Sequence, residues 1–169
     1  MKMSTALKTA LLGTGSLDSI LSGFFIYIFK GPVPATADEA LDTGASHTQL
    51  AVISKDGAAV GAGSILTFAT AASGAISKTA AETWEGPIDS DGVGAGTATH
   101  VPTFLRLCQG TTDNGRGAAG GSNYRIQLTC GSSGNSYEIY IPDMVDDGAG
   151  GNTQGISVFD IRIVDTLPA

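Results

Sequence analysis

Two periodicities divide the chain. Over the first 22 residues apolar positions recur at helical spacing. From Phe24 onward they alternate with polar ones, or run in short continuous blocks, between glycine-rich turns. Ser4-Thr5 can cap a short helix whose apolar face is Ala6, Leu7, Ala10 and Leu11. Gly13-Thr14-Gly15 stops it, and Ser16 can cap a further turn carrying Leu17, Ile20 and Leu21, ended by Gly23. No other stretch carries convincing helical spacing.

The run Phe24–Phe29 is aromatic and β-branched throughout, which predicts a strand covered on both faces. Gln49–Ser54 reads as a second strand, closed by the turn Lys55-Asp56-Gly57, and Ser64–Ala69 as a third. Ala75–Lys78 alternates weakly, and Trp84–Gly96 reads as a long irregular loop. Thr97–Cys108, Asn123–Cys130, Ser136–Ile141 and Gly155–Asp165 each alternate, with Gly131–Asn135 as a hairpin turn between the second and third of these. Seven or eight short strands with glycine-rich connections predict an all-β chain. The expected architecture is an antiparallel β-sandwich or jelly-roll-like domain over residues 23–169, with residues 1–22 as an N-terminal helical arm.

Composition narrows the function more than the fold. Charged residues make up only 15% of the 169, against roughly 25% in ordinary soluble domains, while glycine counts 24. The net charge is −7, with no cluster of Lys or Arg, so a phosphate backbone is repelled and no nucleic-acid partner is expected. The apolar stretch Ile20–Phe29 is too short to cross a bilayer as a helix, and no membrane association is expected.

The residues that carry chemistry elsewhere are sparse here. His47 and His100 lack the spacing of a catalytic triad, so no catalytic residue and no enzyme activity are expected. Asp89 and Asp91 stand in a fragment of a calcium-type loop, but counting Asp89 as the first position puts His100 at the twelfth, where a bidentate carboxylate belongs. Asp143, Asp146 and Asp147 form a second oxygen-rich loop with Asn152. These five aspartates are weak calcium candidates; turn chemistry explains them as well, and no cofactor or metal is expected. No glycine-rich run is followed by the Lys-Ser/Thr of a phosphate loop. Strict alternation puts Cys108 and Cys130 on opposite faces, which favours two reduced thiols over a bridge.

The order of segments resembles a group of small proteins encoded among the virion structural genes of tailed bacteriophages. There a helix like STAFRNA leads to a strand ending in IYSG, a P-A-T-A-D loop and a GTATWFR strand. Here the corresponding segments are Ser4–Leu12, Ile26-Tyr27, Pro34-Ala35-Thr36-Ala37-Asp38, Gly96-Thr97-Ala98-Thr99 and Phe104-Leu105-Arg106. The sequence differs by Lys30-Gly31-Pro32 after the Tyr strand and by Val101-Pro102 before Phe104. The resemblance implies a virion localisation and a non-enzymatic structural subunit, of capsid decoration or neck and tail accessory type. Its partners would be other virion proteins and copies of itself. The alternative is a carbohydrate- or host-surface-binding β-sandwich module, with Trp84 and Tyr140 as stacking residues. An arm this short is marginal alone, so Leu7, Ala10 and Leu11 are expected to dock, by preference on a neighbouring subunit.

Overall fold

The computed structural model describes residues 1–13, 15–42, 46–72, 75–88, 99–110, 113–120, 123–131, 138–145, 152–157 and 159–162. In chain order its elements are β1 (Lys2–Met3), α1 (Thr5–Gly13), α2 (Leu17–Ile20), β2 (Phe24–Lys30), β3 (Thr48–Lys55), β4 (Ala75–Ser77), β5 (Trp84–Pro87), β6 (Thr99–His100), β7 (Phe104–Gln109), β8 (Arg125–Gly131), β9 (Ile139–Tyr140), β10 (Met144–Val145), β11 (Thr153–Gly155) and β12 (Asp160–Arg162). The chain is all-β and sandwich-like, with a short helical N-terminus. Eight strands form one sheet in the order β1-β8-β7-β2-β3-β5-β11, with β9 also on β8; β6–β10 and β4–β12 are separate antiparallel pairs.

The apolar strand β2 lies mid-sheet, antiparallel to β7 on one side and β3 on the other. That placement removes the hazard of an open apolar edge. Its two faces feed two cores. Phe24, Ile26 and Ile28 pack with Leu105, Leu107, Ile126 and the helices, while Phe25, Tyr27 and Phe29 pack with Leu41, Phe104 and Cys108. Each fully buried side chain of this kind contributes about 1.5–3 kcal/mol. The alternation expected for the cysteines holds: Cys108 belongs to one core, Cys130 to the other, and both are free thiols.

The N-terminal segment docks on its own domain, where a neighbouring subunit is the preferred expectation. Lys2 and Met3 pair with Gln127 and Ile126 as a strand of the main sheet. Ser4, fully buried, caps α1: its Oγ accepts from Leu7 N–H at 3.2 Å and from Arg125 N–H at 3.0 Å, and donates to Asn123 O at 3.1 Å. Leu7 is 0% exposed, Ala10 is buried, and Leu11 packs partly on the same core. The helix that cannot stand alone is held by its own sheet because the two residues before its cap are already stitched into that sheet.

Four further expectations are corrected. Trp84–Pro87 is a strand, paired with β3 and β11, rather than part of a loop. Gly86 permits it, since a Cβ there would lie 1.8 Å from Val52 O. Ser64–Ala69 is no strand but touches the sheet through single bridges, Leu66 to Phe24 and Phe68 to Lys78. Thr97–Cys108 does not run on as one strand: Thr99–His100 pairs with β10 and Phe104 onward with β2, with Pro102, which has no N–H to donate, between them. Finally, β9 runs parallel to β8, not back along it as a hairpin. The edge opposite Ile126 and Gln127, which a hairpin return would need, is taken by β1.

Candidate functional site

Arg106 of β7 and Arg125 and Gln127 of β8 point into the second core layer instead of into water. Arg106 and Arg125 are each 0% exposed, and Gln127 is 1% exposed. Two irregular segments cover them, residues 34–39 and 113–117, and supply the acceptors. Arg106 donates from Nε to Gln127 Oε1 (2.9 Å) and from Nη1 to Glu39 O (2.9 Å) and Gly115 O (2.5 Å). Arg125 holds the buried Asp113 carboxylate through Nε and Nη2, and reaches Gly117 O from Nη1 at 2.8 Å. Gln127 Nε2 and Lys2 Nζ both donate to Pro34 O, at 2.9 and 2.7 Å.

The same node reaches the helix cap. Asp38, in the segment over the arginines, accepts from Thr5 N–H on both oxygens at 3.0 and 3.1 Å and from Thr5 Oγ1 at 2.7 Å. A carboxylate at a helix N-terminus meets unpaired N–H groups and the positive end of the dipole. Ser4-Thr5, Pro34–Asp38 and Phe104–Arg106 are therefore one hydrogen-bonded unit, although they are far apart in sequence.

Burial sets the electrostatics of this layer. Burial, reinforced by the like charge of Arg125, lowers the Arg106 pKa to about 10, still a cation at neutral pH. Burial pushes Tyr27 up to about 12, with Cys108 and Asp113 adding to the rise. Burial also pushes the Cys108 thiol far up, and that of Cys130, in the other core, to about 12, so both thiolates are disfavoured. An open groove of about 670 Å³ runs beside α1, lined by Thr5, Ala6, Thr9, Ala10, Asp38 and Tyr124 among others. Its one acid, Asp38, is already bound to Thr5 at the helix N-terminus.

The other candidates lie apart. His47 accepts from Asp42 N–H at 3.1 Å through Nδ1, contacts Pro32 O through Nε2 at 2.9 Å, and sits edge-on to Phe104, on the Phe29 side of the sheet. His100 is buried with its Nδ1 3.1 Å from Lys30 Nζ, and Lys30 alternates with Ile26 and Ile28 on the opposite face. The structure does not bring the two histidines together. Asp143 is exposed before β10, while Asp89, Asp91, Asp146 and Asp147 lie outside the described residues. Among the described residues no group of three or more His, Cys, Asp or Glu could hold a metal.

Trp84 is 1% exposed, packed by Phe68 and Phe159, so it offers no stacking face to a sugar; Tyr140 is 62% exposed. Sequence reasoning missed Arg106, Arg125 and Gln127 as interior residues, because alternation sets them opposite the apolar face of their strands, and Asp113, because it lies between strands where no periodicity applies. No family model, curated protein or solved structure matches this chain.

Proposed function

We propose that this chain is a non-enzymatic structural subunit of a tailed-phage virion, a capsid decoration or neck and tail accessory protein. It would act through contacts with other virion proteins and with copies of itself. One observation carries the reading. Of the seven large apolar side chains exposed among the described residues, five sit at one end of the sheet: Met1, Val33, Val101, Tyr140 and Val145. Val33 follows the end of β2, Val101 precedes β7, Tyr140 pairs with Gly131 at the end of β8, and Val145 pairs with Thr99 just before Val101. The Met1 amino group pairs with Glu138, next to β9. Scattered exposed apolar residues need no explanation, but a gathering at one end marks a contact surface.

The resemblance adds support from another side, since three of its motifs belong to the single unit built on Arg106 and Arg125. An antibody to the chain, followed across a density gradient of phage particles, tests the proposal. The expected signal bands with the particles and survives a high-salt wash. Replacing Val101 and Tyr140 by Asp should move it to the soluble fractions while the melting temperature stays largely unchanged. A wild-type chain found only in the soluble fractions overturns the reading.

A further inference from the structure

We propose that Asn114 is a self-modification site, losing its side-chain amide through a cyclic imide formed with the nitrogen of Gly115. The residue is exposed, between the buried Asp113 and Gly115. Its Oδ1 accepts from Arg116 N–H at 3.1 Å, a local turn that folds the side-chain carbonyl back over the following peptide. Gly115 N–H donates to Asp113 Oδ1 at 2.8 Å. Gly115 has φ +76°, and a Cβ there would lie 3.0 Å from Cys108 Sγ, so the position takes glycine and the attacking nitrogen has no side chain shielding it.

The groups match the needs of the reaction. Gly115 N attacks Asn114 Cγ and the new C–N bond closes a five-membered imide. Hydroxide of the mildly alkaline buffer takes the Gly115 proton, water protonates the departing amide nitrogen, the Cγ–Nδ2 bond breaks, and ammonia leaves. The Arg116 N–H stabilises the charge that develops on Oδ1, as an oxyanion donor does. Water, from the open pocket of about 370 Å³ that Asp113 and Asn114 help to line, then opens the imide at either carbonyl. The products are aspartate or its β-linked isomer. The isomer lengthens the backbone by one bond within the segment whose Gly115 and Gly117 carbonyls hold Arg106 and Arg125.

The native chain, aged in mildly alkaline buffer, should lose the Asn114 amide, while Asn123, Asn135 and Asn152, none of which precedes glycine, stay intact over the same time. Peptide mass spectrometry with fragmentation that separates aspartate from its isomer reads both products, and Asn114→Gln should abolish the change. The chain unfolded in urea is the reference. If it converts at Asn114 while the native chain stays intact, the fold protects the site and the proposal is overturned.

Discussion

Arg125 and Asp113 meet as a two-pronged ion pair in the interior, with Nη2 2.5 Å from Oδ1 and Nε bound to Oδ2. Their side chains are 0% and 3% exposed. Two parallel charge-assisted bonds fix the geometry, and Gly115 N–H and Gly117 O complete the shell. Removing one partner leaves the other charge buried and unpaired. Asp113→Ala should therefore cost about 3–5 kcal/mol, measured by urea unfolding. Replacing both, by Leu at 113 and Met at 125, should cost less than either single change, because no unpaired charge is left behind. A double variant as unstable as the sum of the singles would refute this account of the pair.

The two leucines at the ends of α1 differ in kind. Leu7 is fully buried on the sheet and Leu12 is 91% exposed. Leu7→Ala should destabilise the chain by about 2–5 kcal/mol, as cavity-forming core changes do. Leu12→Ala should stay within about 0.5 kcal/mol. Deleting residues 1–13 removes β1, the Ser4 cap and Leu7 together, and the truncated chain is expected to lose its cooperative melt.

How much of this was legible in the sequence depends on which partner each residue meets. Phe24–Phe29 announced its own burial, because six consecutive aromatic and β-branched residues have no polar face to turn outward. The Cys108 and Cys130 faces followed from alternation alone. The short pieces were hidden: β1 and β9 have two residues each, and no periodicity exists over two residues. The arginine node was hidden for another reason. Alternation says that Arg106 and Phe104 share a face, not that residues 34–39 fold over it; only the carbonyls of Thr36 and Glu39 reveal that.

Glycine positions separate into those the fold requires and those it tolerates. At Gly86 an added methyl would run into the Val52 carbonyl, in the close approach of β5 to β3. Gly86→Ala should cost more than about 4 kcal/mol or abolish folding, an effect of the size reserved for core and backbone conflicts. Gly117 has open space where its Cβ would stand. Gly117→Ala should remain within about 0.5 kcal/mol by thermal melting, and it serves as the matched control.

Both thiols are expected to be silent in the native chain. Burial disfavours the thiolate at Cys108 and Cys130 alike, and only the thiolate attacks an aromatic disulfide reagent. Neither should be labelled under native conditions, and both should react in urea at the rate of unfolding. Rapid labelling of one thiol before unfolding would show that its core layer opens locally.

Glu82 ties stability to pH at the far side of the sheet. Burial alone would raise its pKa, but Trp84 Nε1–H and Thr67 N–H donate to its Oε2, each at 2.9 Å, and the Lys55 ammonium lies 3.5 Å from Oε1. Together they hold the carboxyl below the ordinary carboxylate range. A pKa lower in the folded than in the unfolded state means that stability is fully present above the unfolded value and is lost as pH falls through the folded one. The chain should therefore lose stability from the ordinary carboxylate range downward, and Glu82→Gln should flatten that acid limb while lowering stability at neutral pH. Trp84 is the only tryptophan, and its indole N–H is one of the three donors, so its fluorescence reports this site directly. If the fluorescence of wild type and Glu82→Gln titrates identically below neutral pH, another carboxylate controls the acid limb.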